Sequence, residues 1–140
     1  MCIRDRAGTL EGVSLALPAL VRAAKLQRRA ARVGFDWPEV EGVIAKVREE
    51  LAELDSELQA EAIPERLAEE LGDLLFSCVN LARHLNVEPE AALRTANLKF
   101  EQRFSHIESE LQARGGVEQA SLQEMDAAWE AAKQREEKTR

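Results

Sequence analysis

The sequence predicts an all-α protein, an antiparallel four-helix bundle with an additional C-terminal helix. Residues that favour helices, above all Ala, Leu, Glu, Arg and Gln, dominate the composition. Few stretches alternate apolar and polar residues with the period of two that a half-buried strand requires. Apolar residues recur instead at the three- and four-residue spacing that gives a helix one apolar face.

The first helix is predicted to begin near Pro18 and to end at Gly34. Proline suits the start of a helix, where its missing N–H is not needed, and glycine readily adopts the left-handed conformation that follows a helix. Residues 1–16 are expected to be a non-native or poorly ordered lead-in to one helical domain of residues 17–133. Residues 1–6 also resemble translated adapter sequence, so we expect the natural start of the protein to be missing.

The second and third helices are predicted over about residues 39–59 and 64–85, and the short loop between them makes them antiparallel neighbours. Cys78 lies in the apolar run of the third helix and is expected to be a small core residue. Phe76 and Leu81 lie off the main stripe of this helix, which predicts a second surface that covers them. The residues expected to face the second and fourth helices are Leu71, Leu75, Cys78 and Ala82.

The fourth helix is predicted over about residues 89–113, and Gly115-Gly116 ends it. Ser121 and Glu124 have the spacing of a capping box, in which each side chain bonds the backbone N–H of the other residue. This motif predicts a fifth helix that runs to about Lys133. Residues 134–140 are charged and are expected to form a frayed tail.

The formal net charge of −7 argues against nonspecific binding to nucleic acid or to an acidic membrane, since both need a basic protein face. No stretch has the length of apolar residues that a membrane span needs. The two cysteines show no pairing pattern, so a reducing cytoplasm is the expected setting.

Two acidic motifs, twenty residues apart, carry the chemistry that the sequence predicts. Glu50 and Glu53 in the second helix, and Glu70 and Asp73 in the third, are each three residues apart and so share a helix face. Antiparallel packing would bring all four within reach of one another. Carboxylates in an apolar setting are costly unless they are paired or bound to a cation, and an all-oxygen set favours Mg²⁺, with Mn²⁺ as the alternative. The competing interpretation is two clusters of surface glutamates in ordinary ion pairs.

Basic and aromatic residues outside these motifs are candidates for substrate contacts. Lys46 lies on the same edge of the second helix as its two acidic residues. Lys99 and Arg103, four residues apart on the fourth helix, form either a phosphate clamp or ordinary surface charges paired with glutamates of that helix. Trp129 and Lys133 repeat this spacing on the fifth helix, where Trp129 either belongs to the core or offers its face to a base or sugar.

Five segments of the chain resemble one known family. They are residues 25–37, 46–53, 69–76, 80–85 and 96–104, which contain KLQ and GFDW, KVREELAE, EELGDLLF, NLARHL and ANLKFEQRF. With these motifs the chain resembles the MazG-type nucleoside triphosphate pyrophosphohydrolases of the all-α NTP pyrophosphatase superfamily, over about residues 17–133. It is most similar to the C-terminal MazG domain of longer bacterial proteins, so the resemblance implies that an N-terminal domain is absent.

The resemblance implies a reaction, a cofactor and a site. The reaction is the hydrolysis of a nucleoside triphosphate to the monophosphate and diphosphate. The implied Mg²⁺ ligands are Glu50, Glu53, Glu70 and Asp73, and the implied nucleotide contacts are Lys99, Arg103, Trp129 and Lys133. The general base is expected to be Glu53 or Glu49, and the sequence does not choose between them.

The resemblance also implies a homodimer, because the family generally forms dimers, and the apolar third helix predicts active sites near a two-fold interface. Two other functions compete. A di-iron bundle needs Glu-x-x-His on two helices, and neither His84 nor His106 has a glutamate three residues before it. A helical nucleotide-binding or dimerisation module without turnover is the non-enzymatic alternative, and the intact acidic set argues against it.

Overall fold

The computed structural model describes residues 8–139, and this range contains five α-helices and no β-strand, which confirms the all-α class. The helices are α1 (Ala19–Arg32), α2 (Val40–Gln59), α3 (Pro64–His84), α4 (Pro89–Leu111) and α5 (Leu122–Lys138). Two short 3₁₀ segments, Gln112–Arg114 and Val117–Gln119, connect α4 to α5. Within the described range, no helix combines the length and the apolar character that crossing a membrane requires. The cytoplasmic setting stays a prediction.

The chain divides into two compact units, one up to Ala92 and one from Leu93 onward. In the first unit, α1 and α2 both pack on α3. The antiparallel course of α2 and α3 shows at their shared loop, where Arg66 in the first turn of α3 bonds Glu57 in the last turns of α2 at 2.7 Å. Small apolar side chains form the core of this unit: Val13, Ala24, Val43 and Val79.

The turn after α1 follows from Gly34, as the sequence predicts. Gly34 has a φ of +93°, its N–H bonds the carbonyl of Ala31, and the N–H of Phe35 bonds the carbonyl of Ala30. This pair of bonds is the Schellman motif, which a residue with a side chain could adopt only with strain. The motif directs the segment from Gly34 to Trp37 away from the helix axis and towards the start of α2.

α3 turns polar groups, rather than its leucines, towards α1 and α2. Its buried residues are Glu70, Ser77, Val79 and Asn80. The prediction that Leu71, Leu75 and Cys78 lie in the core is wrong, because all three are exposed. A cavity borders the buried side of α3, so polar groups can line it without losing all contact with solvent, and Leu71 and Leu75 stay uncovered within one chain.

The lead-in before α1 makes contacts with it where the structure describes it. Residues 9–12 form a turn, Val13 is buried, and Arg29 of α1 donates a hydrogen bond to the carbonyl of Glu11 at 2.8 Å. Residues 1–6, where the sequence predicts translated adapter, lie outside the described range.

The second unit has its own core of Ile107, Leu111 and Ala128, against which Met125 and Trp129 pack. The capping box that opens α5 is confirmed, since the N–H of Glu124 donates to the Ser121 hydroxyl and the N–H of Ser121 donates to the Glu124 carboxylate. The predicted end of this helix at Lys133 is five residues too early, as α5 continues to Lys138. Ion pairs from its last turns back to α4 explain the extension.

Candidate metal centre and neighbouring cavity

Three carboxylates from α2 and α3 meet in the first unit. Carboxylate oxygens of Glu50, Glu53 and Glu70 all lie within 4.8 Å of one another, and we call this group the three-carboxylate cluster. Glu50 and Glu53 share a face of α2 because they are three residues apart, and Glu70 meets them from the antiparallel α3. Glu50 and Glu70 are only 6% and 8% exposed, whereas Glu53 is exposed. The structure thus brings together three of the four predicted metal ligands.

In each buried glutamate of the cluster, one carboxylate oxygen lies near a basic side chain and the other has no hydrogen-bond partner. Lys46 Nζ lies 2.9 Å from Glu50 Oε1, and Arg66 Nη2 lies 3.5 Å from Glu70 Oε1. The second oxygens, Glu50 Oε2 and Glu70 Oε2, are buried without a hydrogen-bond partner. Burying such an atom unpartnered costs about 1–3 kcal/mol, and more for a charged group. These two oxygens are therefore available to a cation that binds at the cluster.

Charge repulsion within the cluster supports the same conclusion. The carboxylate of Glu50, followed by burial and the carboxylate of Glu70, raises the pKa of Glu53. A cation between the three groups would relieve this repulsion. The ligand atoms are all carboxylate oxygens, without nitrogen or sulfur, and this is the set that hard divalent ions such as Mg²⁺ and Mn²⁺ prefer. The residues present therefore fit a divalent metal.

Asp73, the fourth predicted ligand, lies outside the three-carboxylate cluster. It is exposed, although the apolar residues that follow it predict burial. It borders the same cavity as Glu50 and lies one helical turn beyond Glu70 along α3. Its role as a ligand stays a prediction.

A cavity of about 500 Å³ opens beside the cluster, between α1, α2 and α3. This volume suits a small organic ligand. The charged side chains of Glu50, a member of the cluster, and of its partner Lys46 border the cavity. The aromatic side chains of Phe35, Trp37 and Phe76 also border it. Charged and aromatic walls in one cavity suit a ligand that has an anionic part and a planar part.

Lys46 and Glu49 lie at the edge of the cluster. Lys46 Nζ is 2.9 Å from Glu50 and 3.4 Å from Glu49, and the hydrogen bond to Glu50 raises the pKa of Lys46, which keeps the amine protonated. Glu49 is exposed and outside the cluster. Of the two candidate bases, Glu53 belongs to the cluster and Glu49 contacts it through Lys46.

A second polar group, missed by the sequence analysis, joins the loop after α1 to the end of α3. Arg83 donates to the two oxygens of Asp36 at 2.6 and 3.1 Å, and His84 Nε2 lies 2.9 Å from Asp36 Oδ1. Arg83 also donates to the side chain of Asn80, and both border the cavity. The sequence marks these segments separately, as GFDW and NLARHL, but no spacing rule shows that residues 47 positions apart meet.

The Asp36 contacts predict a dependence of stability on pH. Hydrogen bonds from Arg83, together with His84, hold the pKa of Asp36 well below its ordinary value of 3.8. A carboxylate with a lowered folded pKa stabilises the fold above its unfolded pKa and loses that contribution as the pH falls through the folded value. Asp36→Asn should therefore reduce the free energy of unfolding at pH 7 by about 1 kcal/mol. The difference from the wild type should shrink below about pH 4.

Urea denaturation at several pH values measures this difference. Asp55→Asn removes the same charge from an exposed position on α2 and is the control. Equal losses for Asp36→Asn at neutral and at acid pH would contradict the ionic origin of the contact.

In the second unit, Arg103 contacts Trp129 and Glu136. Its guanidinium carbon lies 5.2 Å from the centre of the Trp129 ring, and its nitrogens donate to the Glu136 carboxylate at 2.7–3.1 Å. Lys99 and Lys133 are exposed. The structure thus brings together two of the four predicted nucleotide contacts, and Trp129 packs on the core of this unit. Arg103 pairs with a residue of α5, where the sequence suggested a glutamate of α4 as the alternative.

The chain is similar in sequence to a known protein family and to several known proteins. Residues 39–108 match the MazG nucleotide pyrophosphohydrolase domain. Over 132 residues the chain is 45% identical to a nucleoside triphosphate pyrophosphohydrolase of Escherichia coli K12, an alignment that covers 91% of this chain and 49% of that protein.

Two further relatives are similarly close. The nucleoside triphosphate pyrophosphohydrolase/pyrophosphatase MazG of Thermotoga maritima is 48% identical over 118 residues, which cover 84% of this chain and 45% of that protein. The uncharacterized protein YabN of Bacillus subtilis is 47% identical over 132 residues, which cover 93% of this chain and 27% of that protein. The chain therefore spans about half the length, or less, of the curated relatives that it matches.

Proposed function

Because this chain belongs to the MazG nucleotide pyrophosphohydrolase family, we propose that it hydrolyses nucleoside triphosphates to the monophosphate and diphosphate. The observation that carries the proposal is the three-carboxylate cluster, in which two buried oxygens lack a partner, beside a cavity of about 500 Å³. A nucleotide needs both features, since its phosphates bind through cations and its nucleoside needs a partly apolar cavity. The names of the Escherichia coli and Thermotoga maritima relatives support the same reaction.

Glu50, Glu53 and Glu70 would hold the metal, with Asp73 as a fourth ligand at the edge of the cavity. Mg²⁺ is the proposed ion and Mn²⁺ the alternative. When bound, it supplies positive charge to the phosphates and lowers the pKa of the attacking water.

The chain's own residues then handle substrate and proton. The oxygen of water forms a bond to the α-phosphorus, the bond from that phosphorus to the oxygen bridging to the β-phosphorus breaks, and the diphosphate leaves with the electrons of that bond. One proton of the water passes to Glu53 or to Glu49, the two carboxylates proposed as general base. Lys46, held protonated at the edge of the cavity, would contact a phosphate.

Four residues of the second unit stay proposed nucleotide contacts, as the family resemblance implies. Lys99 and Arg103 would stabilise negative charge on the phosphates, and Trp129 and Lys133 would provide further nucleotide contacts. Arg103 already binds one anion, the Glu136 carboxylate, in bidentate fashion. Two oxygens of a phosphate can accept hydrogen bonds from the same planar fork of the guanidinium, so binding substrate there means exchanging one anion for another.

The test is a product assay on the purified chain with the common ribo- and deoxynucleoside triphosphates, with Mg²⁺ and with chelator. We expect equal amounts of monophosphate and diphosphate, formed only with the metal. Release of single phosphate would contradict cleavage between the α- and β-phosphates. Nucleotide binding without any product would support the non-enzymatic alternative.

We further propose that the protein is a homodimer. Apolar residues of α3, among them Leu71, Leu75 and Phe76, are about half exposed, and exposed apolar surface on one helix is typical of an interface. A second copy of the chain is the simplest cover, and closed two-fold pairs are the commonest assembly.

Leu75→Glu is expected to convert this dimer into a monomer, because a charge would then lie in a dry interface. Turnover should fall at the same time, because the active sites are predicted to lie near that interface. Leu75 does not border the cavity, so the substitution leaves the proposed nucleotide site intact. Leu122→Glu, at an exposed leucine at the start of α5, is the matched control. Light scattering at micromolar concentration gives the mass, and a fully active monomeric wild type would refute the dimer.

A further inference from the structure

Gln27 is a buried amide with a fixed orientation. It is 7% exposed, and its Nε2 donates to the carbonyl of Phe76 on α3 at 3.0 Å. Rotating the amide by half a turn would place two oxygens against each other, so this bond determines which end of the amide is the donor. The other end, Gln27 Oε1, is therefore an acceptor, and it is buried without a hydrogen-bond partner.

A buried acceptor without a partner is unfavourable unless a ligand donates a hydrogen bond to it. Gln27 borders the cavity, and the same cavity is bordered by Glu50 of the three-carboxylate cluster and by the aromatic rings of Phe35 and Trp37. A nucleotide whose phosphates bind at the cluster would have its nucleoside in this cavity. The flat, partly apolar rings suit the faces of a heterocyclic base, and the free acceptor suits an N–H at its edge.

We propose that Gln27 recognises the nucleobase, with its Oε1 accepting a hydrogen bond from a ring N–H or an exocyclic amino group while Phe35 and Trp37 contact the base faces. This inference rests on the proposed function and adds to it the residue that sets base selectivity. The substrate class that follows is nucleotides whose base presents an N–H donor, and analogues without that donor are rejected. A site that hydrogen-bonds a substrate group discriminates strongly against its absence, because the protein group is then left unpaired.

The test compares three natural nucleotides, each with an analogue that lacks one N–H donor. The pairs are ATP with purine riboside triphosphate, CTP with the pyrimidin-2-one riboside triphosphate, and UTP with its N3-methyl derivative. For the best natural substrate, we expect the analogue to raise KM by about tenfold or more with little change in kcat, since the bond forms in the ground state. Equal kcat/KM within all three pairs would overturn the proposal.

Gln27→Met keeps the length of the side chain and removes the acceptor. We expect this variant to treat the members of the discriminating pair alike, within about twofold. Lys25→Met, at an exposed position on the same helix, is the control and should keep the wild-type preference. If Gln27→Met does not fold, as judged by circular dichroism, the three pairs measured on the wild type can still overturn the proposal.

Equilibrium binding separates this inference from the proposed reaction. Calorimetry with α,β-methylene forms of the same pairs, which resist cleavage, measures base preference without turnover. Preference in binding together with no hydrolysis of any nucleotide would refute the reaction and support Gln27 as the base contact. Hydrolysis without preference would refute Gln27 and leave the reaction standing. Loss of preference in Trp129→Ala, with preference retained in Gln27→Met, would place the base at Trp129 and also refute the proposal.

Discussion

Replacing Glu50 or Glu70 by glutamine is expected to abolish diphosphate release while the helices stay folded. Each glutamate contributes a buried oxygen that no protein group contacts, and an amide in its place presents either a neutral oxygen or an N–H towards the metal. The loss should be on the order of a thousandfold or more, which corresponds to about 4 kcal/mol of transition-state stabilisation. The fold should persist, because removing one of three crowded carboxylates relieves repulsion.

Diphosphate release, helix content by circular dichroism and metal binding by calorimetry check this expectation together. Glu69→Gln is the matched control, because Glu69 is the neighbour of Glu70 on α3, is exposed and lies outside the cluster. Near-normal turnover in both Glu50→Gln and Glu70→Gln would remove the metal assignment. Asp73→Asn extends the test to the fourth proposed ligand, which should lose metal affinity if it belongs to the site.

Arg103→Ala should lower kcat/KM by a factor that corresponds to about 2–4 kcal/mol of lost transition-state stabilisation. This is the scale of losing one preorganised donor to developing negative charge. Its guanidinium lies over the Trp129 ring and forms a bidentate bond to Glu136, the anion that a phosphate would replace. Steady-state kinetics with the best nucleotide measure the loss.

Two control variants separate the chemistry of Arg103 from its packing. Glu136→Gln removes the ion pair between α4 and α5 but keeps the guanidinium, so turnover should remain within about threefold of the wild type. Glu101→Ala, an exposed residue of the same helix, should also have little effect. If all three variants lose activity equally, damage to the helix pair explains the result and the phosphate role of Arg103 is wrong.

The helices were predictable because their ends carry local signals. Gly34 and the Ser121–Glu124 capping box act through bonds to residues within a few positions, so the sequence around them is sufficient. The three-carboxylate cluster was predictable for a related reason, since a short loop between two long helices brings Glu50, Glu53 and Glu70 together.

What the sequence did not predict depends on contacts between distant segments. The apolar run of α3 offers leucines on more than one side of the helix, and periodicity cannot tell which side meets α1 and α2. Leu71 and Cys78 are therefore exposed where the core was expected. The pairing of Asp36 with Arg83, and of Gln27 with Phe76, likewise joins helices and loops that no spacing rule connects.

The positions of Lys46 and Arg66 bear on the order of folding and metal loading. Each lies four residues before the buried glutamate that it contacts, Glu50 or Glu70, so each countercharge comes from the same helix as its acid. The chain thus supplies a cation to two of the three carboxylates of the cluster. Small zinc domains fold only when their ion arrives, but here α2 and α3 can assemble first. A metal ion at the cluster would then bind to a protein that is already folded, and we expect its supply to limit activity rather than the amount of folded chain.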